Sequence, residues 1–311
     1  MTSPPLLTAL TKEARAATHP RDTACVCGAA SIATLADRPD ATVVRHAGTV
    51  AKAHAPGTDP AHLECRLTTA SRLSGILLAP LSPTPVTLHG RLVTLWPYGT
   101  PVDPGDPDAA PWEAAATLLA HLHGSPAPAP VPPMRGPEKA ARAVARLTAA
   151  AARHPATPAI LRAWSVLPAW ARAEAPMPAP ATLCHGDLHL GQLVRAGGTP
   201  HAPWRLIDVD DLGVGAPAWD LARPAAWYAC GLLPPDEWTR FLDAYRAAGG
   251  PAVPSDGDPW PALDVPARAL TVQTAARTVT KALSAGRPLD EIEQSVVDAC
   301  DRMAAAPPEL A

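Results

Sequence analysis

The chain has 311 residues, which is enough for one large domain or for two lobes that each have a core. Hydrophobic residues make up 47% and charged residues 18% of it, which is typical of a globular protein and not of a disordered one. The net charge is −3 and no basic stripe occurs, so the sequence argues against nucleic acid as a partner. We find no signal-peptide pattern and no apolar run of roughly 18 residues, so we expect a cytoplasmic protein that does not bind membranes.

The first hundred residues predict short strands and one helix. The predicted strands cover residues 41–46, 49–54, 86–88 and 91–96, with a hairpin turn at Ala47-Gly48. The helix is predicted over residues 59–73, because Asp59 is a good N-cap and Pro60 suits the first turn. A segment rich in Pro and Asp follows from Thr100 and is typical of a linker.

From Trp112 onward the sequence predicts a mainly helical region. Helices are predicted at residues 113–123, 138–153, 159–173, 218–230, 236–247, 265–285 and 289–304, and short strands at 193–195 and 204–207. Pro168 and Pro224 should kink or interrupt two of the helices. The prediction is therefore an α+β protein with a small antiparallel β-rich N-lobe (1–96), a hinge and linker (97–111) and a larger helical C-lobe (112–311).

The six cysteines lie scattered in apolar contexts, and we interpret them as reduced core residues (Cys25, Cys27, Cys65, Cys184, Cys230 and Cys300). Cys25-Val26-Cys27 has no second ligand pair at metal spacing, so the sequence does not indicate a zinc site there.

Two segments carry the strongest motif. Residues 183–192 read LCHGDLHLGQ, and residues 205–222 read RLIDVDDLGVGAPAWDLA. Together they resemble the catalytic region of the aminoglycoside phosphotransferase and choline kinase superfamily, which has an H-G-D-x-x-x-x-N loop, an I-D-x-x-D segment and a helix with D-L-A. The loop is also similar to that of bacterial maltokinases and glucosamine kinases. The resemblance implies a bilobal, protein-kinase-like fold and is firm over about residues 183–222, and weaker from roughly 41 to 300.

The resemblance implies a role for each charged residue of the motif. Asp187 would take or orient the proton of an acceptor hydroxyl, with His185 bracing the loop. Gln192, where the family has Asn, and Asp208 would supply oxygen ligands to Mg²⁺. Asp211 matches a supporting acidic position and Asp220 is structural, whereas we expect Asp210 to be solvated.

The N-lobe supplies candidate nucleotide contacts. Lys52, on a predicted strand, matches the kinase lysine that contacts the α- and β-phosphates of ATP or GTP, and Glu64 would fix it by an ion pair. The turn that ends at Ser31 is the candidate phosphate-covering loop. Trp96, Pro97 and Tyr98 lie where the family binds adenine through backbone groups.

Other function classes are less consistent with the sequence. His185, Asp187 and His189 alternate as in a metallohydrolase, but no further His cluster supports that function. The sequence has no serine-hydrolase elbow and no P-loop, and no dinucleotide-binding glycine fingerprint follows the first strand. A pseudokinase that binds nucleotide without transfer remains the alternative, which Gln192 favours and the charged residues of the motif oppose.

The acceptor is the least determined feature. The stretch 236–264 is acidic, which fits a cationic or amino-sugar acceptor, and its candidate contacts are Asp256, Asp258, Trp227 and Trp260. An antibiotic, a sugar or amino sugar, and a biosynthetic intermediate all remain open. The expected partners are a nucleoside triphosphate and a small-molecule hydroxyl compound, and the expected state is a monomer or weak dimer.

Overall fold

The structure is a computed structural model that describes residues 4–19, 25–28, 31–128, 130–150, 154–178, 181–197, 199 and 201–305. It divides into two compact units. The first comprises the chain up to Ala110 together with Pro128–Val131 and Leu190–Asp210, and the second comprises Pro111–Ala127, Pro132–His189 and the chain from Asp211 onward. Within the described ranges, every helix is too short or too polar to cross a bilayer.

The first unit is built on a five-stranded antiparallel sheet with the strand order β1-β2-β3-β5-β4. Its strands are β1 (Ile32–Asp37), β2 (Thr42–His46), β3 (Thr49–Ala53), β4 (Val86–Leu88) and β5 (Arg91–Pro97). Four of the five were predicted, and the predicted hairpin joins β2 to β3. Its turn residue Ala47 has φ 49°, a left-handed conformation that closes the tight turn.

Two helices accompany this sheet, α1 (Pro4–Thr18) and α2 (Pro60–Arg72). The prediction of α2 is confirmed, and Asp59 caps it by accepting a hydrogen bond from the backbone N–H of His62 at 2.8 Å. α1 was not predicted. Its apolar residues recur every four positions and pack in one core cluster with side chains of the sheet (Leu6, Leu10, Ala14, Val44, Ala51, Ala53 and Val93).

A smaller sheet in the same unit has the order β6-β8-β9 and consists of β6 (Gly99–Pro101), β8 (Leu193–Ala196) and β9 (Trp204–Leu206). β6 lies in the segment that the sequence suggested was linker. A Cβ on Gly99 would lie 2.4 Å from Cγ2 of Val194, so glycine permits this strand pairing. β9 is also bonded to the chain after α2, because Leu206 N–H donates to the carbonyl of Ile76 and Leu78 N–H donates to that of Leu206.

The second unit is mainly helical. Its elements are α3 (Trp112–His123), α4 (Gly136–Ala150), α5 (Thr157–Ser165), β7 (Thr182–Cys184), β10 (Gly213–Gly215), α6 (Ala218–Ala229), α7 (Pro235–Ala247), α8 (Trp260–Ala285) and α9 (Glu291–Ala305). β7 and β10 form an antiparallel pair that the sequence did not predict. One core cluster joins α4, α5, α8 and α9 through buried aliphatic side chains such as Leu147, Ile160 and Val279.

All seven helices predicted in this region exist, and two have an end that differs from the predicted one by five residues or more. α5 ends at Ser165, well before the predicted end at residue 173, because Pro168 cannot continue a helix. α8 starts at Trp260, five residues before the predicted start, and contains Pro266 near its first turn. Pro224 likewise lies inside α6. Proline therefore interrupts one helix of this unit and is accommodated in two others.

Candidate active site

The loop after β7 presents Asp187 in the second unit. Gly186 has φ 83°, and a Cβ there would lie 2.5 Å from the carbonyl oxygen of Asp211, so only glycine fits the turn. Asp220 at the start of α6 is 1% exposed and accepts from the backbone N–H groups of His185 (2.6 Å) and Gly186 (2.7 Å). Its contact with the loop is the one expected from the motif, and it fixes the backbone before Asp187.

The contacts of His185 and of the polar groups around it hold the loop in place. His185 is fully buried, and its Nδ1 accepts from the backbone N–H of Asp187 at 3.4 Å. His123, Cys184 and Asp220 also lie close enough together to suit a metal. Here, however, His123 contacts Tyr245 at 2.8 Å, the Cys184 thiol faces the carbonyl of Gly215, and both oxygens of Asp220 accept from the loop.

Two cations hold the Asp187 carboxylate. Lys139 Nζ lies 2.6 Å from Oδ2, and Arg223 Nη2 lies 2.9 Å from Oδ1. Burial by itself would raise the pKa of Asp187, but Lys139 and Arg223 outweigh it and lower the pKa to about 2. Asp187 is therefore ionised throughout the physiological pH range.

Lys139 bridges two carboxylates. Its Nζ also lies 2.6 Å from Oδ2 of Asp211, whose Oδ1 accepts from Arg135 Nε at 2.9 Å. Burial disfavours the Lys139 ammonium, but Asp211 and Asp187 raise its pKa above the ordinary value. Asp211 is thus an ion-pair anchor of the second unit. The sequence analysis missed Lys139 and Arg223, which belong to no motif.

A separate charge cluster in the first unit consists of one buried lysine and two partly buried carboxylates. Lys52 on β3 is 9% exposed, and its Nζ lies 2.6 Å from Asp208 Oδ1 and 3.0 Å from Asp210 Oδ2. Burial would lower the pKa of Lys52, but the two carboxylates raise it. Asp210 also binds His54 Nδ1 at 2.8 Å, and despite its burial Lys52 and His54 hold its pKa well below the ordinary value. The expectation that Asp210 is solvated is therefore wrong.

The metal-ligand candidates belong to this cluster. Gln192 is 7% exposed, and its Nε2 lies 3.4 Å from Oδ2 of Asp208. The backbone carbonyl of Gln192 accepts from the N–H of Ile207, which places the ends of the β8 and β9 segments side by side. Asp208 itself has φ 66°, a strained conformation for a residue other than glycine and one that is found at functional sites. The structure therefore brings Gln192, Asp208 and Lys52 together.

The predicted ion pair between Glu64 and Lys52 is wrong. Glu64 is exposed on α2, and Lys52 pairs with Asp208 and Asp210 instead. The Glu64 prediction rested on local sequence order, whereas the actual partners are 156 and 158 residues away.

The other residues that were predicted to contact the nucleotide make hydrogen bonds and packing contacts within the first unit. Ser31 N–H donates to the Gly28 carbonyl, and its own carbonyl accepts from Ala47 N–H. Trp96 is buried in β5, and its Nε1 donates to Thr94. Pro97 ends that strand, and the ring of Tyr98 lies 3.6 Å from the guanidinium of Arg45. Their contact with a nucleotide remains a prediction.

The contacts of the predicted acceptor residues are with groups other than Asp187 and its ion-pair partners. Trp260 stacks with Tyr228 and Trp238 in an aromatic cluster. Asp258 accepts from the backbone N–H of Trp260, Asp256 is exposed, and Trp227 is partly buried in α6. Their role in acceptor binding also remains a prediction.

A groove of about 470 Å³ in the second unit is strongly basic. Its described lining includes Arg146, Arg223, Arg277 and Lys281, with Glu293 as the one acidic residue among them, and it includes none of the four predicted acceptor residues. Arg287 holds the carboxylate of Glu293 at 2.6 Å through both oxygens. Arg223 connects this groove to Asp187.

The metallohydrolase alternative receives no support from the geometry. Among the described residues, neither His/Cys/Asp/Glu cluster with metal-like spacing includes His185, Asp187 or His189.

The sequence profile of the phosphotransferase enzyme family matches residues 40–264. No curated protein matches the chain. A choline/ethanolamine kinase family protein from Mesorhizobium loti has 16% identity and a TM-score of 0.60, over 97% of this chain and 95% of that one. A microcompartment-associated aminopropanol kinase has 16% identity and a TM-score of 0.58, over 95% of both chains.

A spectinomycin phosphotransferase, solved with ADP and spectinomycin, has 14% identity and a TM-score of 0.57, over 90% of this chain and 93% of that one. At these identities the likeness shows a shared protein-kinase-like fold. The family profile covers more than two thirds of the chain. The chain therefore belongs to the phosphotransferase enzyme family, and it is a small-molecule phosphotransferase with an alcohol group as acceptor.

Proposed function

We propose that the enzyme transfers the γ-phosphoryl group of ATP, bound with Mg²⁺, to a hydroxyl of a small molecule that carries an anionic group. The observation that carries the donor half of the proposal is the cluster of Lys52, which is buried, with Asp208 and Asp210, which are partly buried. A buried lysine between two partly buried carboxylates is costly unless the charges serve a purpose.

The residues of that cluster fit a magnesium nucleotide. Asp208 and the amide oxygen of Gln192 are hard oxygen donors of the kind that Mg²⁺ prefers, and the strained backbone of Asp208 fixes its carboxylate. Bound there, Mg²⁺ would neutralise charge on the phosphate oxygens. Lys52 would contact the nucleotide phosphates, which can replace one of its two carboxylate partners.

Asp187 would orient the acceptor hydroxyl. With a pKa of about 2 it is a weak base, so its contribution is to hold the hydroxyl proton in the correct direction and to accept it late in the transfer. Lys139 and Arg223 keep the carboxylate ionised and restrict its rotation.

The basic groove supports the proposed acceptor class. Arg223 has Arg277 as a close cationic neighbour, and Arg146 and Arg277 have no ion-pair partner among the described residues. Clustered guanidinium groups without counter-charges favour a carboxylate or phosphate, which they bind through paired hydrogen bonds. A polycationic antibiotic would be repelled there. The acidic stretch 236–264, which suggested a cationic acceptor, supplies no residue of the groove.

The donor half is tested by thermal unfolding with ATP or GTP, with and without Mg²⁺. We expect a magnesium-dependent stabilisation by ATP. Stabilisation without any detectable transfer would favour the pseudokinase alternative, and no stabilisation by millimolar nucleotide would refute the donor site.

The acceptor half is tested with matched compounds that differ in charge, such as glucose, glucosamine and gluconate, and then with wider panels of hydroxyl amines and hydroxy acids. We expect phosphoryl transfer to the anionic members. Arg277→Gln should raise KM for such an acceptor by about 10- to 100-fold, the value of one charge-assisted hydrogen bond. Arg162→Gln is the control, because Arg162 is exposed and pairs with Asp301 outside the groove. Preference for cationic acceptors would refute the assignment.

A further inference from the structure

A second group of ligating side chains lies in the first unit, apart from the lysine and carboxylate cluster. It consists of His19, Cys25, Cys27 and His46, and one ligand atom from each lies within 4.8 Å of all the others. His19 follows the last turn of α1, the two cysteines precede β1, and His46 ends β2. The proposed phosphoryl transfer uses none of the four.

The separations suit a tetrahedral metal site. His19 Nε2 lies 3.1 Å from His46 Nε2, Cys25 Sγ lies 3.5 Å from His46 Nε2, and Cys27 Sγ lies 3.4 Å from His19 Nε2. With Zn–S of ~2.3 Å and Zn–N of ~2.0 Å, tetrahedral geometry puts neighbouring ligand atoms roughly 3.3–3.8 Å apart. All three contacts lie in or within a few tenths of an ångström of that range.

Hydrogen bonds alone leave the ring nitrogens of His46 poorly satisfied. His46 is 1% exposed, and its Nδ1 has no hydrogen-bond partner among the described residues. The polar contacts of its ring are therefore those of Nε2, which faces both His19 Nε2 and the Cys25 thiol. A ring nitrogen either donates one hydrogen bond or accepts one, so Nε2 cannot bond well to both His19 and Cys25.

We propose that His19, Cys25, Cys27 and His46 form a structural zinc site. Two thiolates and two imidazoles fill all four positions of a tetrahedral Zn²⁺ ion, which leaves none for a substrate. On binding, each thiol loses its proton to solvent and each imidazole binds through Nε2. The ion would cross-link the end of α1, the segment before β1 and the end of β2.

The cross-link adjoins the segment that is the candidate phosphate-covering loop. Gly28 follows Cys27 directly and accepts from Ser31 N–H, and the carbonyl of Ser31 accepts from Ala47 in the turn after His46. Zinc bound to Cys27 and His46 would therefore hold the neighbours of Gly28 and Ala47, the two residues that hydrogen-bond to Ser31. The zinc assignment does not depend on the proposed donor or acceptor.

The test is the zinc content of the full-length protein, purified under reducing conditions and reconstituted with Zn²⁺, measured by mass spectrometry of the metal. We expect one zinc per chain, and replacement by Co²⁺ should give the intense visible absorption and thiolate charge-transfer band of a tetrahedral site. Cys25→Ser and Cys27→Ser should lose the metal. Cys65→Ser is the matched control, because Cys65 is a partly exposed thiol of the same unit that donates to the carbonyl of Pro130.

Two results would overturn the proposal: wild-type protein that retains no stoichiometric zinc after reconstitution, or Cys25→Ser and Cys27→Ser variants that retain as much as Cys65→Ser. If either variant fails to fold, thiol labelling of the wild-type protein decides. Zinc should protect two thiols from the reagent and a chelator should expose them again. Labelling that does not respond to zinc would count against the site.

Discussion

Lys139→Met tests whether the bridge between Asp187 and Asp211 sets the charge of the proposed catalytic residue. Methionine keeps most of the length of the side chain and removes the ammonium that lies 2.6 Å from each carboxylate. Asp187 would retain Arg223, and Asp211 would retain Arg135, so neither carboxylate is left without a cation. The substitution therefore removes one charge and leaves the ion-pair network otherwise in place.

The magnitude follows from the pKa of Asp187, which is lowered from 3.8 to about 2. A shift of that size corresponds to about 2.5 kcal/mol in favour of the ionised form. Of the two cations, Lys139 lowers the pKa of Asp187 more than Arg223 does. Burial raises that pKa, and the substitution leaves burial unchanged. We therefore expect the pKa of Asp187 to rise by at least about one unit and the protein to lose about 1–3 kcal/mol of stability near neutral pH.

The sign of the pH dependence follows from the lowered pKa. Ionised Asp187 contributes stability that is fully present above the unfolded-state pKa of about 4 and is lost as the pH falls through about 2. The stability difference between wild type and Lys139→Met should thus be constant between about pH 5 and pH 9 and narrow below about pH 4. Urea unfolding at a series of pH values measures it.

The direct assay is a carboxyl ¹³C NMR titration of aspartate-labelled protein, with Asp187→Asn used to assign the resonance. In wild type the Asp187 signal should remain that of the ionised form down to about pH 3, whereas in Lys139→Met it should titrate above that pH. Arg135→Gln is the control, because it removes a cation from Asp211 without touching Asp187. An unchanged titration in Lys139→Met, or an equal shift in Arg135→Gln, would refute the reasoning.

Four further substitutions test the loop and the metal ligands. Asp187→Asn should lower the transfer rate by about 10²–10⁴ in steady-state kinetics while leaving nucleotide binding intact, and wild-type turnover would contradict its role. Asp208→Asn should weaken binding of the magnesium nucleotide, measured by calorimetry, and an unchanged affinity would argue against Asp208 as a ligand. Gln192→Asn should stay active because the amide oxygen is kept, and an inactive variant would argue against Gln192 as a ligand. Gly186→Ala should lose at least about 2 kcal/mol in urea unfolding, because the backbone φ is positive and the new Cβ would meet the Asp211 carbonyl.

Sequence patterns predicted most helices and the larger sheet because their signals are local. Apolar spacing, caps and turn residues determined α2, α3 and the β2–β3 hairpin, and all three lie where they were predicted. The first helix has a similar local signal, since its leucines and alanine recur at four-residue spacing. It was not predicted, because that segment was tested only for a signal-peptide pattern. The strands β7 and β10 have three residues each, too few to show a period.

Ion-pair partners were less predictable because they depend on contacts distant in sequence. Lys139 is 48 residues from Asp187, and Arg223 is 36 residues from it. One signal was available: only four of the 26 lysines and arginines are lysine, so in this arginine-rich chain Lys52 and Lys139 stand out. Both lie among carboxylates, where a compact ammonium can bridge two groups at once.

The same limit explains the cysteines. The sequence indicated no zinc site because a motif search looks for ligand pairs close together, and only Cys25 and Cys27 meet that rule. His19 comes from the end of a helix and His46 from the end of a strand, and folding alone brings them within 4.8 Å of the thiols. Of the six cysteines, only Cys184 and Cys300 are buried, so the interpretation as core residues holds for those two.

The predicted acceptor residues do not line the basic groove, because that prediction rested on charge along the chain. The acidic residues of 236–264 are neighbours in the chain, but the walls of the groove come from α4, α6, α8 and α9, where arginines more than a hundred residues apart meet. Local net charge predicts the charge of a surface only where one segment forms that surface. Because Arg223 lines the groove and also holds Asp187, the charge beside the proposed catalytic carboxylate is positive, and an acceptor bound there has to match it.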